Sequence, residues 1–187
     1  MKITILSASP RNNGFSFESA NYIHSYFKKN NIDSILLDIK NLNIHPCDGC
    51  GFCHFHKKCK FQDDFALFFD AINSCDLFFC ITPVYFSGPP SQFKKLIDRC
   101  QIFWELKYTH NTKPFCLNHN PKSIVILYGG ASHHDFQFKS TLDIIDIFYK
   151  SINTAIDKTF TFPNTDNIEL SNEFLEQFAQ TINLHSL

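Results

Sequence analysis

The fold is decided by residues 2–16, near the N-terminus, which read KITILSASPRNNGFS. The short β-branched run over residues 2–6 predicts a buried strand. The small and turn-forming residues after it predict a turn, and helical spacing of apolar residues begins after Ser16, the predicted N-cap. A strand, a polar loop and a helix in this order predict the first unit of a parallel α/β sheet.

This first loop is also a candidate anion site. Free backbone N–H groups and the positive end of the helix dipole favour a phosphate at such a place. Its side chains add further donors, namely Ser7, Ser9, Arg11, Asn12 and Ser16. The loop is equally consistent with an ordinary strand-to-helix turn. Neither G-x-G-x-x-G nor G-x-x-x-x-G-K-[ST] occurs in the sequence, which disfavours a dinucleotide-binding Rossmann domain and a nucleotide hydrolase.

The rest of the chain alternates between the two kinds of element. Strands are predicted over residues 32–39, 76–81, 123–128 and 155–162. Four further helices are predicted. One begins at Asp63 and Asp64, whose carboxylates we interpret as partners of the helix dipole, and one runs from Pro89 and Pro90 to Trp104. The other two are predicted over residues 136–152 and 172–184. Residues 105–122 are predicted to be an irregular functional loop. The alternation predicts a doubly wound α/β fold, a parallel sheet with helices on both faces, and a single domain over residues 1–187.

A second stretch, residues 46–59, reads PCDGCGFCHFHKKC and holds four cysteines spaced Cys-x2-Cys-x2-Cys-x5-Cys. Gly49 and Gly51 permit the positive φ angles with which a loop wraps around a centre. Thiolates that converge in this way hold iron–sulfur clusters or zinc in proteins. The alternative to a metal centre is a compact turn whose thiols are reduced and unligated. The repeated x2 spacing favours a cluster over zinc. His54 and His56 are predicted to be surface residues.

Composition limits the classes of function. The formal net charge of −1 and the isoelectric point near 6.7 show no basic footprint for nucleic acid. No apolar run is long enough to cross a membrane. No signal peptide is recognised, so we expect a cytoplasmic protein with reduced thiols. The other cysteines lie singly in apolar segments and are predicted to be buried: Cys75, Cys80, Cys100 and Cys116.

Three loops are expected to meet beyond the carboxyl ends of the strands, where open parallel sheets bind ligands. Residues 9–16 suit an anion. Residues 82–90 offer the aromatic side chains of Tyr85 and Phe86 on a backbone held by prolines. The side chains of residues 129–132 are small enough for a ligand to approach the backbone closely. Together they predict a pocket for a flat ring with a phosphate tail.

At this point three motifs in one order resemble a known family. They are Ser-Pro-Arg-x-x-Gly-x-Ser from Ser9, Pro-Cys-x-Gly-Cys-x-x-Cys from Pro46, and Pro-Val-Tyr-Phe from Pro83 with a later Ile-Asp-Arg. The chain resembles the NAD(P)H-dependent FMN reductases of the flavodoxin-like superfamily, and within them the iron–sulfur flavoproteins. The resemblance implies a flavodoxin-like five-stranded parallel sheet of order 2-1-3-4-5. It also implies a homodimer or homotetramer.

The resemblance further implies the site residues. The FMN-binding set is Ser9, Arg11, Asn13, Gly14, Phe15, Ser16, Pro83, Val84, Tyr85, Phe86, Gly129 and Gly130. The metal ligands of the iron–sulfur branch correspond to Cys47, Cys50, Cys53 and Cys59. Phe15 departs from the pattern, because relatives usually carry Asn there, and it leaves only a backbone N–H for the phosphate.

The implied function is an FMN-dependent oxidoreductase with NAD(P)H as electron donor. Electrons would pass to a small-molecule or protein acceptor, directly or through a [4Fe-4S] cluster. No catalytic residue is assigned, because the flavin supplies the chemistry. Two alternatives remain open, a flavodoxin-like electron carrier without NAD(P)H activity and a cysteine-based redox or metal sensor.

Overall fold

The computed structural model describes residues 1–112, 120–132 and 136–186. Its five strands are β1 (Lys2–Ser7), β2 (Asp33–Asp38), β3 (Leu77–Pro83), β4 (Lys122–Tyr128) and β5 (Lys158–Phe162). They form one sheet in the order β2-β1-β3-β4-β5, and every neighbouring pair is parallel. The predicted sheet, with its 2-1-3-4-5 order, is confirmed.

Seven α-helices connect or follow these strands in the described residues. They are α1 (Phe15–Lys29), α2 (Phe52–His56), α3 (Phe65–Ser74), α4 (Ser91–Arg99), α5 (Gln101–Trp104), α6 (Lys139–Ser151) and α7 (Asn172–Thr181). Side chains of α1 and α7 pack on one face of the sheet. Side chains of α3, α4, α5 and α6 pack on the other. The expectation of helices on both faces is therefore confirmed.

The strands divide their side chains between these two layers with a period of two, as a pleated strand requires. In β3, Phe79 packs under α1 and α7, whereas its neighbour Phe78 packs under the opposite helices. Both rings are fully buried. The near-continuous apolar run of β3 thus reflects a central strand that is covered on both faces.

Two local predictions were wrong. Helix α1 begins at Phe15 with Gly14 as its N-cap, so Ser16 lies inside the first turn. Gly14 has φ 145° and ψ 162°, a conformation open to glycine that lets the chain enter the helix two residues earlier. The predicted irregular loop also starts helically, because a π-helical turn, Glu105–Thr109, continues α5.

Other boundaries differ by a few residues, as frayed ends do. The helix predicted from Phe136 begins at Lys139, and the strand predicted from Ala155 begins at Lys158. Cys75, Cys80 and Cys100 are buried as predicted, whereas Cys116 lies outside the described residues. No helix in the described part of the chain combines the length and apolar character needed to span a bilayer.

Candidate functional site

A cavity of about 780 Å³ opens beyond the carboxyl ends of β1, β3 and β4. The Arg11 guanidinium lies over the Tyr85 ring, 5.8 Å from its centroid, and so joins the first two predicted loops. All the predicted FMN-site residues except Gly129 line this cavity: Ser9, Arg11, Asn13, Gly14, Phe15, Ser16, Pro83, Val84, Tyr85, Phe86 and Gly130. The three loops that the sequence placed at this edge do converge.

The loop after β1 presents hydrogen-bond donors to the cavity. No side-chain hydrogen bond caps the first turn of α1 at Gly14, and Gly14, Phe15 and Ser16 line the cavity, so the N–H groups of this turn are available to a ligand there. Ser9 and Ser16 are buried at 3 % exposure each, and the Ser9 hydroxyl accepts the Arg11 N–H at 3.2 Å. Backbone donors, hydroxyls and a guanidinium are the donor set that a phosphate needs.

Phe15 has a structural reason to replace a polar residue. Its ring packs 4.8 Å from Phe174 of α7 and 5.8 Å from Tyr128 at the end of β4. Tyr128 is itself buried and shares a 2.6 Å hydrogen bond with Ser19. Burial raises the pKa of Tyr128 far above its ordinary value, so this phenol stays neutral and is not a general base. Phe15 therefore closes the floor of the cavity with apolar surface.

The loop after β3 is a tight turn that projects an aromatic side chain. Tyr85 and Gly88 exchange two backbone hydrogen bonds, at 2.8 and 2.9 Å. The two residues between them, Phe86 and Ser87, have φ angles of 50° and 58°, which is strained for residues with a Cβ. The Phe86 side chain is fully exposed at the cavity rim. Strain and exposure at the rim of a cavity favour a functional role for this turn.

The two glycines after β4 have different surroundings. A Cβ on Gly130 would overlap the carboxylate of Asp166, so a larger residue there would require this exposed side chain to move. A Cβ on Gly129 would overlap the side-chain amide of Gln137, which is buried. Gly129 thus packs against Gln137 instead of lining the cavity, and its direct contact with a flavin stays a prediction.

A fourth loop, which the sequence reasoning missed, closes the cavity. It follows β5 and is joined to the β4 loop by backbone hydrogen bonds from Asn164 to Ala131, from Thr165 to Gly129 and from Asp166 to Gly130. Its lining residues are Thr165, Asp166, Ile168 and Leu170. The signal was available, because β5 is parallel to its neighbour and must end at the same edge.

The cysteine loop leaves the carboxyl end of β2 and lies against α4, α5 and α6. Gly49 and Gly51 have φ angles of 66° and 70°, the left-handed geometry that the sequence predicted. Cys47 and Cys50 are exposed, and Cys53 and Cys59 are partly buried. All four thiols line a second cavity of about 850 Å³, whose apolar wall includes Ile102, Trp104, Ile147 and Phe148.

The arrangement of the four thiols distinguishes between the metal centres. Tetrahedral zinc at about 2.3 Å from each sulfur needs sulfurs roughly 3.8 Å apart. Within the described residues, no three cysteine sulfurs lie within 4.8 Å of one another, which disfavours a zinc site. A cubane cluster binds each thiolate through a different iron, so its ligand sulfurs stand farther apart.

Cationic side chains surround these thiols. The Arg99 guanidinium interacts with Cys59 and the Lys60 ammonium with Cys50. Hydrogen bonds from Lys60 and then Cys50 lower the pKa of Asp48 to about 2, so Asp48 stays ionised and holds Lys60 beside the loop. Burial, followed by the Glu105 carboxylate, raises the pKa of the Cys53 thiol.

Arg99 anchors the base of the cysteine loop. Its Nη1 donates to Asp63 Oδ2 at 2.6 Å and to the His45 carbonyl at 2.8 Å, and its Nη2 donates to Asp63 Oδ1 at 3.2 Å. The Arg99 side chain is 1 % exposed. Asp63 also accepts the N–H of Phe65 at the start of α3. The helix predicted from Asp63 and Asp64 thus begins after both residues, at Phe65, and the main partner of Asp63 is a buried guanidinium.

Comparison with known proteins identifies the family. The family model described as NADPH-dependent FMN reductase matches residues 1–158. The chain belongs to this family. Among curated proteins, the iron–sulfur flavoprotein of Archaeoglobus fulgidus is 26 % identical over 103 residues, covering 55 % of this chain and 52 % of that protein. The iron–sulfur flavoprotein of Methanosarcina thermophila is 29 % identical over 99 residues, covering 53 % and 52 %. The chain spans about half the length of these curated relatives.

Solved structures share the fold of this FMN reductase family member. An FMN-dependent NADH-azoreductase from Bacillus anthracis has a TM-score of 0.69 at 13 % identity, covering 100 % of this chain and 97 % of that one. An NAD(P)H:quinone oxidoreductase from Methanothermobacter marburgensis has a TM-score of 0.65 at 15 % identity, covering 100 % and 92 %. At such low identity these likenesses concern the fold alone.

Proposed function

We propose that this chain is an FMN-dependent oxidoreductase that accepts electrons from NAD(P)H. The observation that carries the proposal is the convergence of the β1, β3 and β4 loops on one cavity, in a chain whose family is the NADPH-dependent FMN reductases. The names of its relatives and structural neighbours agree with a flavin site. FMN, when bound, would supply hydride acceptance from nicotinamide and onward electron transfer.

The residues of the cavity have separate tasks in this proposal. Ser9, Arg11, Asn13 and Ser16, with the first turn of α1, would hold the phosphate. Tyr85 and Phe86 would lie against the ring system, with Pro83, Val84, Gly129 and Gly130 forming its backbone surroundings. The floor of the cavity, formed by the Phe15 and Tyr128 rings, would exclude water from the buried side. We assign no residue a role in proton transfer, because the flavin supplies the chemistry; the Tyr128 phenol shares its hydrogen bond with Ser19.

Replacing Arg11 by Ala is expected to weaken FMN binding by about 10–100-fold, because each charge-assisted hydrogen bond to the phosphate contributes about 1.5–3 kcal/mol. Lys28→Ala, which removes the same charge from the last turn of α1, is the control and should bind FMN as the unchanged chain does. Fluorescence quenching in FMN titrations measures the affinities. Equal affinities in the two variants, or no FMN binding by the unchanged chain, would refute the pocket.

Oxidation of NADH or NADPH separates the enzyme from its main rival. The proposed enzyme oxidises the nicotinamide steadily when FMN and an electron acceptor are both present. A flavodoxin-like carrier binds FMN equally well but leaves NAD(P)H unoxidised. The physiological acceptor is a small molecule or a redox protein in either case.

We also propose that Cys47, Cys50, Cys53 and Cys59 hold a [4Fe-4S] cluster that passes electrons on singly. The support is the shared cavity wall, the Cys-x2-Cys-x2-Cys-x5-Cys spacing and the cations beside Cys59 and Cys50. Positive charge from Arg99 and Lys60 would favour the more negative, reduced cluster and so raise its reduction potential. The loop leaves the same sheet edge as the loops of the flavin cavity, which suits transfer between the two.

Replacing Cys50 by Ser is expected to lower the iron content of anaerobically purified protein by about tenfold or more, since even outer partners of metal sites change affinity by about 10–100-fold. FMN binding should be unchanged. Cys80→Ala, which removes a buried thiol of β3, is the control and should keep its iron. Iron and flavin are quantified together. If Cys50→Ser loses both iron and flavin, the loop has a structural role and is not specifically a cluster site. If the variant keeps its iron, Cys50 is not a ligand.

The remaining expectations stay predictions. They are a single domain over residues 1–187, assembly as a homodimer or homotetramer, and a cytoplasmic location. Large apolar side chains near the cysteine loop are consistent with assembly, because Phe55 is 78 % and Ile147 is 52 % exposed.

A further inference from the structure

Three side chains that commonly bind metals meet outside the four-cysteine set. His54 lies on α2, directly after Cys53, while Glu105 begins the π-helical turn after α5 and His110 follows that turn. One ring nitrogen from each histidine and one Glu105 carboxylate oxygen all lie within 4.8 Å of one another. We call this group the His–Glu–His cluster. It joins the cysteine loop to a segment more than fifty residues later.

One pair of ligands in the cluster already has the spacing of a coordination sphere, and His110 lies within 4.8 Å of both. Tetrahedral ligation at about 2.0–2.1 Å places nitrogen and oxygen ligands roughly 3.3 Å apart. His54 Nδ1 and Glu105 Oε2 already stand 3.2 Å apart. The His54 side chain is 49 % exposed and that of Glu105 is 19 % exposed. The site is therefore open to solvent on one side and can take an ion directly from water.

Neighbouring groups hold two of the three ligands in place. Gln101 Nε2 donates to Oε1 of Glu105 at 3.3 Å, which leaves Oε2 directed at His54. His110 Nε2 donates to the backbone carbonyl of His54 at 2.6 Å. In metal sites, hydrogen bonds from the ligands to side-chain amides and backbone carbonyls commonly orient those ligands.

We propose that His54, Glu105 and His110 form a binding site for a divalent transition-metal ion of the zinc type. Imidazole nitrogen suits zinc, copper, iron and nickel, and two histidines with one glutamate form a known three-ligand zinc set that keeps a position for water. An ion here would join α2 to the turn after α5 and fix the cysteine loop against it. The proposal stands independently of FMN binding.

Zinc content tests the proposal. The 187-residue chain and its variants, purified anaerobically, are equilibrated with Zn²⁺, dialysed and analysed for zinc and iron. Glu105→Gln and His110→Gln should each bind one zinc ion fewer than the unchanged chain. His56→Gln, on the exposed face of the same short helix, is the control and should bind as much as the unchanged chain. Cys50→Ser should retain this zinc ion.

Two results would overturn the site. Equal zinc in the unchanged chain, Glu105→Gln and His110→Gln would mean that the cluster is an ion pair only. Loss of the ion in Cys50→Ser would assign the zinc to the thiols. Gln101→Ala gives a second readout, because loss of an outer contact should weaken zinc binding by about 10–100-fold without removing a ligand. Circular dichroism of each variant verifies that it is folded.

Discussion

Replacing Asp63 by Asn is expected to lower the free energy of unfolding by about 3–5 kcal/mol, because it leaves the buried Arg99 guanidinium without its counter-charge. The Arg99 side chain is 1 % exposed and that of Asp63 is 11 % exposed, so water cannot replace the lost carboxylate. Urea unfolding, followed by circular dichroism, measures the change. The same variant should loosen the cysteine loop, since the pair anchors both His45 before it and α3 after it.

Two further variants make this result specific. Lys94→Ala breaks an exposed pair between Lys94 and Asp98 on α4 and should cost no more than about 0.5 kcal/mol. Asp63→Leu combined with Arg99→Met removes both charges and should recover part of the loss. If Asp63→Asn costs no more than Lys94→Ala, the buried pair contributes little and our account of the loop anchor is wrong.

Lowering the pH should reproduce part of the loss of stability expected for Asp63→Asn. Burial alone would raise the pKa of Asp63, but the hydrogen bonds from Arg99 and from the His45 and Phe65 N–H groups outweigh it, and the pKa falls below the ordinary 3.8. A carboxyl whose pKa is depressed in the folded state stabilises the protein above its unfolded pKa and loses that contribution as the pH falls. The unchanged chain should therefore lose more stability below about pH 4 than Asp63→Asn does.

Replacing Phe68 by Ala is expected to cost about 3–5 kcal/mol in the free energy of unfolding. Phe68 is fully buried on α3, and its ring centroid lies 6.0 Å from that of Phe148 and 6.1 Å from that of Phe65. Truncation removes this apolar burial and leaves a cavity between α3 and α6. Urea unfolding of the flavin-free protein measures the loss without any contribution from ligand binding.

The neighbouring residue on the same helix is the matched control. Leu67 is 52 % exposed, so Leu67→Ala should change the stability by no more than about 0.5 kcal/mol. Similar losses at both positions would mean that α3 does not bury the face that we describe. A Phe68→Leu variant should fall between the two, because it keeps more of the buried apolar volume.

Most of the fold could be predicted because its determinants are local. The β-branched run before Ser7, the long apolar run of β3 and the helical spacing in α1 each determine one element. Parallel strands separated by helices then leave few topologies. The element boundaries that were predicted wrongly depend on the conformation of single residues and on local side-chain packing. The φ angle of Gly14 moves the start of α1. A tilted contact between the Trp104 and Tyr108 rings, 4.2 Å between centroids, accompanies the unpredicted turn after α5.

The cavity was predicted in outline for the same reason. Strand order places the loops after β1, β3 and β4 at one edge, and the motif residues within them indicated an anion and a flat ring. The loop after β5 could have been placed at this edge from the parallel sheet, but the contact of its Asp166 with Gly130 has no local sign in the sequence. The role of Phe15 was likewise hidden, since its partner Phe174 lies far along the chain.

The amino-acid sequence alone thus determined the alternation of strands and helices, the spacing of the thiols and the loops that carry the flavin motifs. Each of these follows from neighbours within a few residues, where backbone preference and side-chain periodicity act directly. The tertiary structure alone decided the pairing of Asp63 with Arg99, the closure of the cavity by the β5 loop, and the meeting of His54 with Glu105 and His110. These contacts join residues more than thirty positions apart, so they exist only once the sheet order and the packing of the helices bring their elements together.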